Sequence, residues 1–295
     1  MDTLQIPSGA VVVGIDGSEH STRALAWAAD QAGRDRRPLV IVHALGVLDP
    51  YWLVQPGVDA QALKESMIAG AKEVLAEARD SVIAEHPGLE VSIGWKSADA
   101  RHLLIEASEH AGLVVVGSRG RGPVKRLLLG SVSLGLTRHA HAPVAVVRPG
   151  ADENANDGVL VGVDGTEESL PTLDYAFRIA ASRGAPLTVV HCFWDYESAV
   201  LGAGLVDGDN ERYAEIRLVV AETLAGFREK YPDVPVRVEL ARGLADEVML
   251  GLADKNDVAV VGSRERSSLS DLILGSVAGA LVEHASCTVI VVPRS

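Results

Sequence analysis

Residues 11–18 read Val11-Val12-Val13-Gly14-Ile15-Asp16-Gly17-Ser18, and residues 159–166 read Val159-Leu160-Val161-Gly162-Val163-Asp164-Gly165-Thr166. Each is an apolar run closed by glycine and aspartate, just ahead of a helical pattern. The echo continues: Pro38-Leu39-Val40-Ile41-Val42-His43 returns as Pro186-Leu187-Thr188-Val189-Val190-His191, both pairs offset by 148 positions. Further on, VVVGSR at 114–119 returns within VAVVGSR at 258–264, and LLLGSV at 127–132 returns as LILGSV at 272–277, now offset by 145. Solenoids need three or more short units, so two long copies are two domains.

The expected boundaries are 1–150 and 158–295. Between them Gly150-Ala151-Asp152-Glu153-Asn154-Ala155-Asn156-Asp157-Gly158 is polar, acidic and without apolar period, as a surface linker is. Within each copy strand and helix patterns alternate, which predicts an α/β fold of parallel sheets wrapped by helices. In the first copy the pattern predicts strands near 10–15, 38–44, 89–95, 112–117 and 143–148, and helices near 19–33, 60–86, 100–111 and 131–140. Leu63, Met67, Ala71, Val74, Ala78 and Val82 recur at three- and four-residue spacing, a packing stripe. In the second copy Val234-Pro235-Val236-Arg237-Val238-Glu239-Leu240 carries a proline, which cannot donate to a ladder, so this strand is expected at a sheet edge. The fifth strands, Val144–Val147 and Val289–Val292, are apolar throughout. They are expected to pair, joining the halves as an intramolecular pseudo-dimer about a pseudo-two-fold axis and leaving room for a homodimer.

The chain has 295 residues and a net charge of −13, with 47% hydrophobic, 23% charged and 4% aromatic residues. A nucleic-acid binder needs a broad basic face, so nucleic acid is not expected as a partner. The start, Met1 to Pro7, lacks a basic segment followed by an apolar one, so a secretory signal is not expected. No apolar run approaches the ~20 residues that span a bilayer, so membrane insertion is not expected. Cys192 and Cys287 are two thiols without paired spacing, too few for a four-ligand zinc site, and the cytoplasm suits them.

In an open parallel sheet ligands bind at the C-terminal strand ends where strand order reverses. Strand one ends in Gly14-Ile15-Asp16-Gly17-Ser18. Strand four ends in Gly117-Ser118-Arg119-Gly120, and nine residues later Gly130-Ser131 opens a helix. If strands one and four are neighbours, Asp16 and Gly117 face each other. Glycines at 117 and 120 let backbone approach a ligand. The first N–H groups of the helix, at Ser131, Val132 and Ser133, favour an anion such as a di- or triphosphate, and the Ser131 and Ser133 hydroxyls add donors. Arg119, Arg121, Lys125 and Arg126 put four positive charges in this loop of an acidic protein. The plainer reading is that Asp16 or Ser18 caps the following helix. The loop is not a G-x-x-x-x-G-K-[ST] loop, and the first turn is not a dinucleotide G-x-G-x-x-G.

With these residues in view, the chain resembles a tandem-domain universal stress protein of the ATP-binding type over essentially its whole length. The resemblance rests on Gly14–Ser18, on Val116-Gly117-Ser118-Arg119-Gly120, on Gly130-Ser131-Val132-Ser133 and on Arg138 to Val144. The first copy matches the family signature G-2x-G-9x-G-(S/T) in full. The resemblance implies sheets ordered 3-2-1-4-5 and ATP clasped between strands one and four, held by Ile15, Asp16, Gly17, Ser18, Val116, Gly117, Arg119, Gly120 and Gly130 to Ser133. Adenine is implied near His43 and Ala44, through backbone contacts. It implies a second site at Val163, Asp164, Gly165, Thr166, His191, Cys192, Val261, Gly262, Arg264, Gly275, Ser276, Val277 and Ala278. It also implies a role in stress survival and growth control through nucleotide-dependent signalling.

The second copy departs at one position. Glu265 stands where the first copy has Gly120, bringing a Cβ that a positive φ would strain and a negative charge near a phosphate path. Residues 263–274 hold Arg264 and Arg266 against Glu265 and Asp271, so the charged side chains cancel. Unequal sites are expected, the first binding ATP more tightly and the second weakly or only with a metal. Asp16 and Asp164 are the candidates to hold magnesium through phosphates. His139 and His141, two apart at a helix end, fit a capping or packing role better than a metal pair. His43 and His191 fit either an adenine pocket or a satisfied core position. No clear general base is poised for water and no second acidic ligand accompanies Asp16, so a slow ATPase is the alternative reading. A nucleotide-free scaffold is the third.

Overall fold

The molecule is described here by a computed structural model covering residues 4–46, 59–120, 129–149, 158–207, 210–263 and 274–294. Strand β1 (Val11–Gly14) has Val11, Val12 and Val13 all fully buried. Successive strand residues point to opposite faces, so this sheet is covered on both sides. The chain parts into two units, Met1–Val147 and Arg148–Ser295. Residues 150–157 of the expected linker lie outside the described residues.

In the first unit β1 lies between β2 (Leu39–Ala44) and β4 (Leu113–Gly117); β3 (Val91–Lys96) flanks β2, and β5 (Val144–Val147) flanks β4. Every pairing is parallel, giving the expected order 3-2-1-4-5. Helix α1 (Glu19–Asp35) packs on α2 (Ala60–Glu85), and α3 (Ala100–Ser108) packs on α4 (Ser131–His139). Each N-terminus has a local cause: Ser18, Asp59 and Asp99 accept hydrogen bonds from first-turn N–H groups of α1, α2 and α3. The α2 stripe is buried only in part. Ala71 and Val82 are buried and Met67, Val74 and Ala78 half-buried, but Leu63 is 37% exposed. Leu75, one turn beyond Ala71, is the deepest leucine of this helix.

The second unit repeats the sheet with β6 (Val159–Val163), β7 (Leu187–Phe193), β9 (Val236–Arg242), β10 (Val258–Gly262) and β11 (Thr288–Val292), again parallel and in the same order. The expected edge strand needs correction on two points. Pro235 precedes β9 and contributes only its carbonyl, which accepts from Leu187 N at 2.8 Å. A two-residue strand, β8 (Gly204–Leu205), then pairs antiparallel with Ala241 and Arg242, so the end of β9 is covered. Helices α5 (Leu170–Arg183), α6 (Ser198–Leu201), α7 (Ala214–Lys230), α8 (Ala245–Ala253) and α9 (Ser276–His284) complete the unit. Phe177 of α5, fully buried, stacks on Phe227 and Tyr231 at 5.5 and 5.4 Å and fixes α7 against the sheet.

Candidate functional site

Because β1 and β4 are hydrogen-bonded neighbours, the segments that leave them run side by side. After β1, Ile15 N donates to Val42 O at 2.9 Å, and the Ile15 carbonyl accepts from His43 Nδ1 at 2.8 Å. His43 is thus a satisfied histidine that pins the loop, with its proton on Nδ1. Gly17 has φ of +75°, a conformation that favours glycine. Asp16 Oδ1 accepts from Ser18 N at 3.0 Å, and Ser18 Oγ accepts from Ser21 N at 3.2 Å. The plainer capping reading of Ser18 therefore holds: its oxygen serves α1.

The glycines of the strand-four loop are required for space. Neither Gly117 nor Gly120 has positive φ. A methyl group on Gly117 would fall 2.7 Å from the His20 carbonyl oxygen, and one on Gly120 would fall 2.6 Å from Asp16 Oδ2. The partner of Asp16 across the crevice is thus Gly120, while Gly117 abuts the first turn of α1. Helix α4 opens at Gly130 with no side-chain cap, and Gly130 N donates to Ser118 O at 2.8 Å. Ser131 is exposed there. Ser133 is not available as a donor: it is buried, and its hydroxyl donates to Gly117 O at 2.8 Å.

Around this loop three side-chain nitrogens are buried without a hydrogen-bond partner among the described residues: His20 Nδ1, Arg23 Nη1 and Arg119 Nε. Burial holds the His20 pKa below its ordinary 6.5, and the positive charges of Arg23 and Arg119 push it the same way. Sequence reasoning missed His20 and Arg23. Their signal was there, since they stand three apart in the first turns of a helix that starts at the strand end. Of the expected basic loop only Arg119 is described; Arg121, Lys125 and Arg126 lie outside the described residues.

The second unit keeps the scaffold. His191 Nδ1 donates to Val163 O at 3.1 Å, Asp164 Oδ1 accepts from Thr166 N at 3.0 Å, and Gly275 N donates to Ser263 O at 2.9 Å. Burial lowers the His191 pKa, so this ring is neutral near pH 7. Thr166 Oγ1 donates to Asp164 at 2.7 Å and does not cap a helix. The first turn here is a 3₁₀ turn, Glu167–Ser169, and α5 starts later. Between the ends of β6 and β10 and the first turns of α8 and α9 lies a cavity of about 530 Å³. Its walls include Val163, Asp164, Cys192, Val261, Gly262, Gly275, Ser276, Val277 and Ala278, all named from sequence. Arg264 and Glu265 lie outside the described residues. Burial, together with the negative charge of Asp246, raises the Cys192 thiol to about 11; Cys287, more deeply buried, rises to about 12. Among the described residues no group of three or more His, Cys, Asp or Glu side chains is gathered to hold a metal ion. His139 is exposed at the end of α4, and His141 N donates to Ser108 Oγ. No described helix is long and apolar enough to cross a membrane.

Two parallel sheets of order 3-2-1-4-5, each with glycines at the strand ends where the order reverses, define a tandem pair of open α/β units. The sequence profile of the universal stress protein family matches residues 8–148 and again 156–293, and the chain belongs to that family. A universal stress protein of Mycolicibacterium smegmatis is 33% identical over 291 residues, covering 96% of this chain and 97% of its own. One from Mycobacterium tuberculosis is 34% identical over 293 residues, covering 97% of each. The crystal structure of a universal stress protein from Archaeoglobus fulgidus DSM 4304 matches the fold with a TM-score of 0.73 at 24% identity, covering 98% of this chain and 99% of that one.

Proposed function

We propose that the first unit binds ATP across the ends of β1 and β4, and that the chain is a regulatory stress-response protein whose partners or assembly follow nucleotide occupancy. The observation that carries this reading is the set of buried nitrogens on His20, Arg23 and Arg119 beside the uncapped start of α4. A buried side-chain nitrogen without a hydrogen-bond partner is costly, and a bound polyphosphate would supply acceptors to all three. Phosphates would lie along Gly117 to Gly120 and the N–H groups of Ser131 and Val132, with Arg119 neutralising charge. Adenine would sit near His43 and Ala44. Magnesium, where it takes part, would be held by phosphate oxygens together with Asp16 or, in the second unit, Asp164.

The second unit is proposed to bind ATP more weakly, on the ground of Glu265 and the charge balance of its loop. The two fifth strands are proposed to pair, on the ground of their apolar sequence. Two free cysteines suit the proposed cytoplasmic location.

The test is to denature the purified protein and separate the released small molecules by anion exchange, then titrate the emptied protein with ATP by calorimetry. Released ATP and one tight event are expected. Release of ADP alone would turn the reading to a slow ATPase. Nothing released and a flat isotherm would leave a scaffold, and two equal events would remove the inequality.

A further inference from the structure

The cavity of the second unit has a size of about 530 Å³, within the range of small-molecule sites. Its wall is largely apolar: Val163, Val190, Met249, Val261, Val277 and Val292 all face it. Its charged groups are carboxylates, Asp164, Glu168 and Asp246, against a single described cation, Arg294, and that guanidinium is paired with Glu168. The Asp246 carboxylate makes no hydrogen bond or ion pair among the described residues, and its charge reaches the thiol of Cys192 on the same wall.

The corresponding positions of the first unit carry the opposite character. Glu168 stands where the first unit has His20, Pro171 where it has Arg23, and Asp246 where it has Arg101. The alignment is fixed by packing as well as by sequence. Gly14 abuts Leu104 of α3, and the equivalent Gly162 abuts the equivalent Met249 of α8. Residues 264–273, between β10 and α9, carry no net charge in the sequence, since Arg264 and Arg266 balance Glu265 and Asp271. This balance suits a polyphosphate less than the loop of the first unit does, and suits a cation better. The cation is organic, because an apolar wall offers a metal ion few ligands and the described residues gather no metal-holding group.

We propose that this cavity is a binding site for a small apolar molecule carrying a positively charged amine or amidine, with Asp246 as its charge partner. The site stands apart from the nucleotide reading of the first unit, and the experiment keeps the two separable. The full chain is titrated by calorimetry with 4-aminobenzamidine and, in parallel, with 4-aminobenzoate, the same ring with opposite charge. The amidine is expected to bind at one site, at least tenfold tighter than the benzoate, and D246N is expected to weaken it severalfold. The amidine should also slow alkylation of Cys192, and at equal concentration more strongly than ATP does. Equal or tighter binding of the benzoate overturns the proposal, as does amidine affinity unchanged in D246N, or protection of Cys192 by ATP as strong as by the amidine. D246N keeps the size of the side chain, and an unaltered unfolding curve together with faster Cys192 alkylation would show a folded variant whose local charge has been removed. ATP titrations of the same samples report on the first unit. A flat ATP isotherm with amidine binding intact sinks the nucleotide reading alone, and the reverse pattern sinks this one alone.

Discussion

The first and second units share their backbone scheme and differ in how tightly side chains close on it. In both, a histidine at the end of the second strand donates to the carbonyl after the first, at 2.8 Å from His43 and 3.1 Å from His191. In both, the glycine before the last helix donates to the serine after the fourth strand, at 2.8 and 2.9 Å. The spaces around the strand ends are unequal. A methyl on Gly14 would lie 2.8 Å from Leu104, but on Gly162 it would lie 3.4 Å from Met249. A methyl on Gly117 would lie 2.7 Å from a backbone oxygen, but on Gly262 it would lie 3.2 Å from Thr172 Oγ1. Ser133 ties α4 to Gly117 O, and its counterpart Ala278 has no hydroxyl to do so. Duplicated main-chain geometry therefore does not impose duplicated contents: side chains on the helices decide what each crevice accepts.

The strongest way to break this contrast is to put the second unit's residue into the first. G120E brings a Cβ to 2.6 Å from Asp16 Oδ2 and a second carboxylate beside the first. ATP affinity is expected to fall on the order of 100-fold, since like charges at ~4 Å cost a few kcal/mol at an effective dielectric of ~20. Calorimetry reads it, and an unchanged first event would remove Gly120 from the site. Next in size is a pair of stability measurements by urea unfolding. G117A is expected to cost about 2–3 kcal/mol, because its methyl meets backbone that cannot swing away, and G262A about 1 kcal/mol or less. Equal costs would show that the second unit is not the looser of the two.

A smaller effect is expected for S133A. Losing the buried bond to Gly117 O should cost about 1 kcal/mol of stability while leaving ATP affinity nearly as it was. A large loss of affinity would return Ser133 to the phosphate site.

The smallest effect is on pH dependence. A bound phosphate favours the His20 imidazolium, so binding takes up a proton and ATP affinity should rise more steeply below pH 7 in the wild type than in H20Q. Without nucleotide the sign is opposite for folding. The folded pKa of His20 is depressed, so the unfolded chain takes the proton more readily, and stability is lost as pH falls below 6.5 towards the folded value. Parallel pH profiles for wild type and H20Q, in binding or in unfolding, would discard this role for His20.

Much of the fold was legible because its determinants are local or repetitive. The strand-one motif, its return 148 residues later and the alternation of strand and helix patterns lead to two parallel sheets. The order 3-2-1-4-5 came from family resemblance and is the order observed. Less legible were features that depend on distant partners. Pro235 pointed to an edge, but only packing brought β8 over the end of β9. Gly117 and Gly120 were read as glycines for turning and approach to a ligand, while the space they leave is taken by His20 and Asp16.

The sequence by itself determined the duplication, the strand ends that form each crevice and the loss of net positive charge from the second loop, because glycines, caps and charges are written in local order. Only the tertiary structure decided that Ser18 and Ser133 serve the scaffold, that His20 and Arg23 join Arg119, and that the second unit encloses a cavity with Asp246 on its wall. The reason is physical: a hydroxyl or a charge acquires its role from the groups that packing brings within a few ångströms, and those groups lie tens of residues away along the chain.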